Sequence, residues 1–269
     1  MGAPNGKAEP RLLNDELIDS EVPAAVVCAQ CGDADCPGCL EEQTRSGVVA
    51  VVPWERPGLP AFERLWGTAR ATTLDGQRFF ESLPDGAIAS ALRFAIVCEV
   101  LAASAMALAV LIPVAVLAPG WVGHLLLHET MWVVRVAVIG IPGLAGLLIA
   151  AHLAHGWALD YGARRSGMRS ATTRALRFGL YACGWDLVIG PIGAVIVGLK
   201  EGAGAVLSIA GAGLGLPGRS ARAFLRGCYH LDGKSAARAL RASYVAAAIS
   251  TTIGALAVIA GIVMAIFSG

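Results

Sequence analysis

The sequence predicts an all-α fold: an integral membrane bundle of about five transmembrane helices behind a flexible cytoplasmic N-terminal segment. Three observations predict it. Hydrophobic residues make up 56% of the 269 positions and charged residues 15%, with a mean hydropathy of +0.64; a soluble domain carries about 45–50% and about 25%. Residues 100–128, 136–159 and 242–269 contain no Asp, Glu, Lys or Arg, and each exceeds the roughly 20 apolar residues that cross about 30 Å of hydrocarbon. The formal charge of +1 conceals a division, because residues 1–90 hold 14 acids against 7 bases and residues 91–269 hold 6 acids against 14 bases. This composition excludes disorder, collagen-like repeats and an ordinary soluble enzyme as descriptions of the whole chain.

Residues 1–60 form the first segment, punctuated by Pro4, Pro10, Pro23, Pro37, Pro53, Pro57 and Pro60 without sustained periodicity, and an acidic, flexible tail is expected. Met1–Ser20 is polar and acidic, unlike a signal peptide, which makes the first span an uncleaved anchor. Within the tail Cys28, Cys31, Cys36 and Cys39 stand as C-x2-C-x4-C-x2-C. Each C-x-x-C turn presents two thiolates from one corner, half of a tetrahedral zinc site. A reducing cytoplasm favours metal thiolate over disulfide, and metal binding would supply most of the folding free energy of such a module. A structural zinc knuckle is the expectation; a redox dithiol, an iron–sulfur ligand set and unliganded cysteines are the alternatives. Cys98, Cys183 and Cys228 lie in or beside apolar helices and read as small buried hydrophobes.

Residues 61–86 are expected to form amphipathic interfacial helices. Phe62, Leu65, Trp66 and Ala69 recur at helical spacing opposite Glu63, Arg64 and Arg70, and after Asp75-Gly76 the pattern resumes with Phe79, Phe80 and Leu83. Such a face suits either the membrane interface or the protein's own cytoplasmic surface.

Residues 87–269 hold the spans, placed at about 92–117, 136–158, 175–198, 202–217 and 241–266 from their apolar runs. The fourth is short, and Gly190-Pro191-Ile192-Gly193 is an alternative turn that would leave Lys200 and Glu201 inside a helix. Arg164, Arg165, Arg169 and Arg174 follow span two, and Arg219, Arg222, Arg226, Lys234 and Arg238 follow span four; the loop after span one has only Arg135. Basic residues favour cytoplasmic loops, so the N-terminus is expected in the cytoplasm and the C-terminus outside. The Ala-, Gly- and Arg-rich usage suits a GC-rich bacterium, hence a bacterial cytoplasmic membrane.

Further motifs recur along this part of the chain. Pro53-Trp54-Glu55 leads into Phe79-Phe80-Glu81-Ser82-Leu83-Pro84-Asp85-Gly86 just before the first span. His152 stands near the end of span two, and Thr172-Thr173-Arg174-Ala175 and Tyr181 open span three. His230-Leu-Asp-Gly-Lys-Ser235-Ala-Ala-Arg-Ala239-Leu240 leads into the last span. From about residue 53 to the end this resembles the bacterial Yip-domain proteins, relatives of the eukaryotic Rab-interacting (Ypt-interacting) membrane proteins. The chain departs from the family between Pro191 and His230, where it is longer, and the cysteine island lies outside the resemblance. The resemblance implies a five-span bundle with a cytoplasmic N-terminus, a trafficking-like or membrane-organising role, and no catalytic residues.

Ionisable groups inside a bilayer raise a functional hypothesis. Asp186 is the most interior acid, and Arg135 begins span two; they either pair or leave Asp186 to bind a proton or cation. His124 and His128 share one helix face, followed by Glu129. The text HLLLHE matches neither H-E-x-x-H nor H-x-x-E-H, and flanking Trp121 and Trp132 resemble an aromatic belt. These histidines, like His152 and His155, read as interfacial groups or as a weak metal site. The glycines of the last spans suit close helix packing.

The leading expectation is therefore a non-enzymatic membrane scaffold or adaptor whose zinc-stabilised tail binds a protein partner. A small transporter or channel using Asp186 is the first alternative, and a metalloenzyme using His124 and His128 the second. The basic loops should favour anionic lipids of the bilayer; no nucleic-acid partner is expected, and a homo-oligomer is open.

Overall fold

The structure is a computed structural model that describes residues 52–213 and 215–267. The tail to residue 51, including the four cysteines of the expected zinc knuckle, lies outside the described residues. The described residues are helical, without strands. A single 3-10 turn, Pro53–Glu55, precedes α1 (Ala61–Leu74), α2 (Gly76–Glu81) and α3 (Ile88–Leu117). There follow α4 (Pro119–His128), α5 (Thr130–Arg135), α6 (Ile141–Arg165), α7 (Thr172–Ala182) and α8 (Gly184–Ile189). The chain continues as α9 (Pro191–Glu201), α10 (Ala203–Gly213), α11 (Leu216–Tyr229) and α12 (Gly233–Phe267).

Among the described residues, two stretches are long and apolar enough to cross a membrane: α3, and the 36 residues Thr130–Arg165 formed by α5, a π-turn at Val136–Gly140, and α6. A third span is reached if α7–α8 and α9 count as one, bent by 55° at Gly190–Pro191. Proline explains the bend, since it has no N–H for the ladder and its ring clashes with the preceding turn. The fourth expected span, 202–217, divides between the 11-residue α10 and α11. Eleven residues rise only about 16 Å, and α9 and α10 meet at Gly202, whose φ of +86° suits a residue without Cβ.

The packed core sits at one end of the bundle, around α7 and α8. Phe80, Phe94, Phe178, Tyr181, Trp185 and Phe224 form an interlocked aromatic cluster there, with Phe178 and Phe224 stacked at 4.8 Å. The other end carries exposed apolar side chains, among them Val110, Ile112, Val116, Val138 and Ile139, as lipid-facing positions would. The buried face of α1 comprises Leu65, Thr68, Ala69, Thr72 and Thr73, and the Trp185 indole on α8 donates to Thr72 O at 2.9 Å. Of the two docking surfaces open to this helix, the protein itself takes that face; Phe62 remains exposed.

Three ion pairs fasten the segment before α3 to later helices. Arg177 on α7, fully buried, donates through Nη2 to both Glu55 oxygens at 3.0 Å, and Tyr181 Oη donates to Glu55 Oε1 at 2.6 Å. Arg174 forks onto Asp85, and Arg226 on α11 forks onto Glu81 with both contacts at 2.8 Å. Trp54 joins the same dock, its backbone N–H donating to Thr68 Oγ1 at 2.7 Å and its indole to Ser90 O at 2.9 Å. Buried Asp160 near the end of α6 accepts from the Ala171 N–H, Thr172 Oγ1 and Tyr229 Oη at 2.9, 2.9 and 2.6 Å. One carboxylate thus ties the turn before α7 to the end of α11.

Candidate functional site

The polar site lies where the packed end meets the apolar one. The buried positions of α3, Ala91, Phe94, Ala95, Cys98, Glu99, Ala102 and Ala103, recur at helical spacing, so Glu99 occupies the stripe facing the core. It is eleven residues into α3, about 16 Å along the helix axis. Small residues on that stripe let α6 and α7 approach.

Two glycines fix how α6 and α7 meet. A Cβ at Gly156 would stand 2.2 Å from Ala175 O, and one at Gly179 would stand 2.3 Å from His152 O. Backbone therefore touches backbone at this crossing, which sets the position of His152 on α6 relative to Cys183 at the end of α7.

Four side chains converge. His152 Nε2 lies 3.0 Å from Asp186 Oδ2 and 3.7 Å from Glu99 Oε1. One ligand atom each of Glu99, His152 and Cys183 falls within 4.8 Å of the others. Glu99 is fully buried, yet neither carboxylate oxygen has a hydrogen-bond partner. The cluster opens on the Asp186 side, where that side chain is 37% exposed against 16% for His152. Trp185 forms one wall, its ring 5.9 Å from the imidazole. An ionised carboxylate in such a position requires a neighbouring positive charge to offset its desolvation, and imidazole, thiol and carboxyl together form a donor set for a transition metal.

The residues singled out in the sequence separate here. Asp186 is in the cluster, but its partner is His152; Arg135 is exposed at the end of α5. His124 and His128 lie side by side on α4 with ring centroids 5.0 Å apart, both exposed. Among the described residues, the one set of three or more converging His, Cys, Asp or Glu ligand atoms is Glu99, His152 and Cys183. His155 instead bonds Ser243 Oγ on α12 at 2.6 Å. Glu99 was missed because it stands at the edge of the charge-free run 100–128 and reads as a boundary. The signal was present: Ala95, Ile96, Val97 and Cys98 precede it, which places the acid inside an apolar helix.

Outside the spans, two groups on α11 feel their burial. Burial pushes the Cys228 thiol up to about 11, and it raises the Tyr229 phenol, assisted by the hydrogen bond to Asp160. Comparison with models of known families, with curated proteins and with solved structures returns no match, so the resemblance read in the motifs stands on those residues alone.

Proposed function

We propose that the chain is a non-enzymatic integral membrane scaffold of the Yip-like kind. In this reading its apolar helices anchor it in a bacterial cytoplasmic membrane, with its N-terminus inside and a zinc-stabilised tail that holds a protein partner. The observation that carries the reading is the docked base: Glu55, Glu81 and Asp85 are fastened to Arg177, Arg226 and Arg174. A fixed platform thereby stands where the tail joins the helices, as an adaptor needs. Arg164, Arg165 and Arg169 around the α6–α7 turn, and Lys234 and Arg238 at the start of α12, are exposed. A groove between α6 and α12 adds Arg165, Arg238 and Arg241 above Val245 and Ile249, which suits an anionic headgroup with its acyl chains.

The test is co-purification of the full chain in mild detergent. A partner should be retained by the wild type, and released both by chelator and by joint Cys28, Cys31, Cys36 and Cys39→Ser substitution. An identical set of co-purifying proteins in all three samples would refute the adaptor role. A second reading, passage of a proton or cation, is favoured by the His152–Asp186 hydrogen bond. It predicts ion-driven uptake into vesicles that falls with Asp186→Asn.

A further inference from the structure

We infer that Glu99, His152 and Cys183 form a binding site for a divalent transition metal of the zinc class inside the helix bundle, with Asp186 as the fourth donor. The site is separate from the cysteine island of the tail, and the inference does not depend on the scaffold reading.

Three observations carry it. The donor types are those such an ion takes: an imidazole nitrogen, a thiolate sulfur and carboxylate oxygens. One ligand atom each of Glu99, His152 and Cys183 already lies within 4.8 Å of the others, and Asp186 Oδ2 is 3.0 Å from His152 Nε2. Four ligands at the usual ~2.0–2.3 Å from a tetrahedral ion stand roughly 3.3–3.8 Å apart, so closing the shell requires side-chain adjustment of about 1 Å. Glu99 supplies the second observation, as a fully buried carboxyl whose two oxygens have no hydrogen-bond partner. A buried polar group in that condition is costly unless something neutralises it, and a cation among these donors would. The third is rigidity, since the Gly156 and Gly179 contacts hold α6 against α7 and bring His152 and Cys183 together before any ion arrives.

The fourth donor follows from the same geometry. Asp186 Oδ2 is 3.0 Å from the very nitrogen of His152 that faces Glu99. When the ion binds, the proton that Nε2 donates to Asp186 is released, the bared Nε2 lone pair ligates the metal, and the freed carboxylate oxygen becomes an adjacent ligand. Cys183, whose Sγ now donates to Gly179 O at 3.9 Å, loses its proton on binding, so uptake releases protons. Cys98 is equally buried and adjacent to Glu99 in sequence, but it does not belong to the converging set.

The experiment uses the full chain in detergent with Cys28, Cys31, Cys36 and Cys39 all replaced by Ser, titrated with Co²⁺ and then Zn²⁺. The expected result is one Co²⁺ per chain, a thiolate-to-cobalt charge-transfer band, and displacement by Zn²⁺. His152→Asn, Glu99→Gln and Cys183→Ser should each weaken binding by more than the ~10–100-fold typical of groups behind a ligand, while Cys98→Ser leaves it intact. Absence of the band, or its persistence in Cys183→Ser, overturns the site. Should the four-serine chain fail to fold, metal content is compared in the otherwise unaltered protein. There Cys183→Ser should lose one ion relative to wild type and Cys98→Ser none; equal content in all three overturns the inference.

Discussion

Replacing Glu55 by alanine is expected to destabilise the bundle severely, because it strips the one carboxylate from a guanidinium with no exposure. Arg177 Nη2 donates to both Glu55 oxygens at 3.0 Å, whereas its Nε and Nη1 have no hydrogen-bond partner. Without Glu55 the buried cation keeps no counter-charge, and Tyr181 Oη loses its 2.6 Å acceptor. Removing one member of a buried pair costs about 3–5 kcal/mol. For a unit of this size each kcal/mol lowers the melting midpoint by about 2–4 °C, so a drop of roughly 6–20 °C is expected. Glu55→Gln retains an acceptor and should fall between. Joint Glu55→Leu and Arg177→Met removes both charges and should recover most of the loss, since apolar replacements of buried pairs are often neutral. The assay is thermal unfolding of the purified chain in detergent, following tryptophan fluorescence. A Glu55→Ala midpoint within about 2 °C of wild type would refute the reasoning, because a buried, singly paired arginine cannot lose its partner so cheaply.

Three further expectations follow from the same geometry. The Arg226 hydrogen bond holds Glu81 below its ordinary 4.5, so the contact contributes fully above that value and is lost as the pH falls beneath it; the hydrogen-exchange protection factors of α11, taken relative to the intrinsic rate at each pH, should fall in acid, and Glu81→Gln should abolish the dependence. Cys228, held near 11 against an ordinary 9.0, contributes stability at neutral pH that fades as pH rises through the higher value; peptide mass spectrometry should show slow alkylation until the chain is unfolded or the pH approaches 11. Gly179→Ala places a Cβ 2.3 Å from His152 O, about 1 Å inside ordinary contact; overpacking of about 1–3 kcal/mol should lower the melting midpoint, and the cobalt spectrum should broaden.

The parts of the fold that hydropathy could reveal are those where lipid-like surface dominates. The run 92–117 grew into α3 from Ile88, and 136–158 into the stretch Thr130–Arg165, because apolar length is what a spanning helix requires. The break at Asp75-Gly76 between α1 and α2 was also visible, as glycine after a short polar residue punctuates a helix. Contacts between distant residues were not. Periodicity grouped Phe62 with Leu65, Trp66 and Ala69 on one apolar face of α1, whereas the face packed on the protein also takes in Thr68 and Thr72 and leaves Phe62 exposed: the neighbours on α8, not hydrophobicity alone, decide that face. The chain bends at Gly190–Pro191, where the alternative turn was expected, but Lys200 and Glu201 end α9 ahead of the Gly202 break rather than lying in the interior of a helix. At the polar site, Asp186 was legible from its isolation in an apolar tract. Glu99, His152 and Cys183 become a group only through α3, α6 and α7 meeting at residues far apart in the chain.

The separations bridged by the ion pairs carry a consequence for biosynthesis. Glu55 and Arg177 are 122 residues apart, and Glu81 and Arg226 are 145 apart. At about 5–20 residues per second, a ribosome takes roughly 7–30 s to travel the longer interval. Throughout that delay the earliest helices wait with their acids unpaired and their apolar faces open to chaperones. The base of the bundle is emitted well before its last fastening, which forms only when Arg226 emerges to lock it.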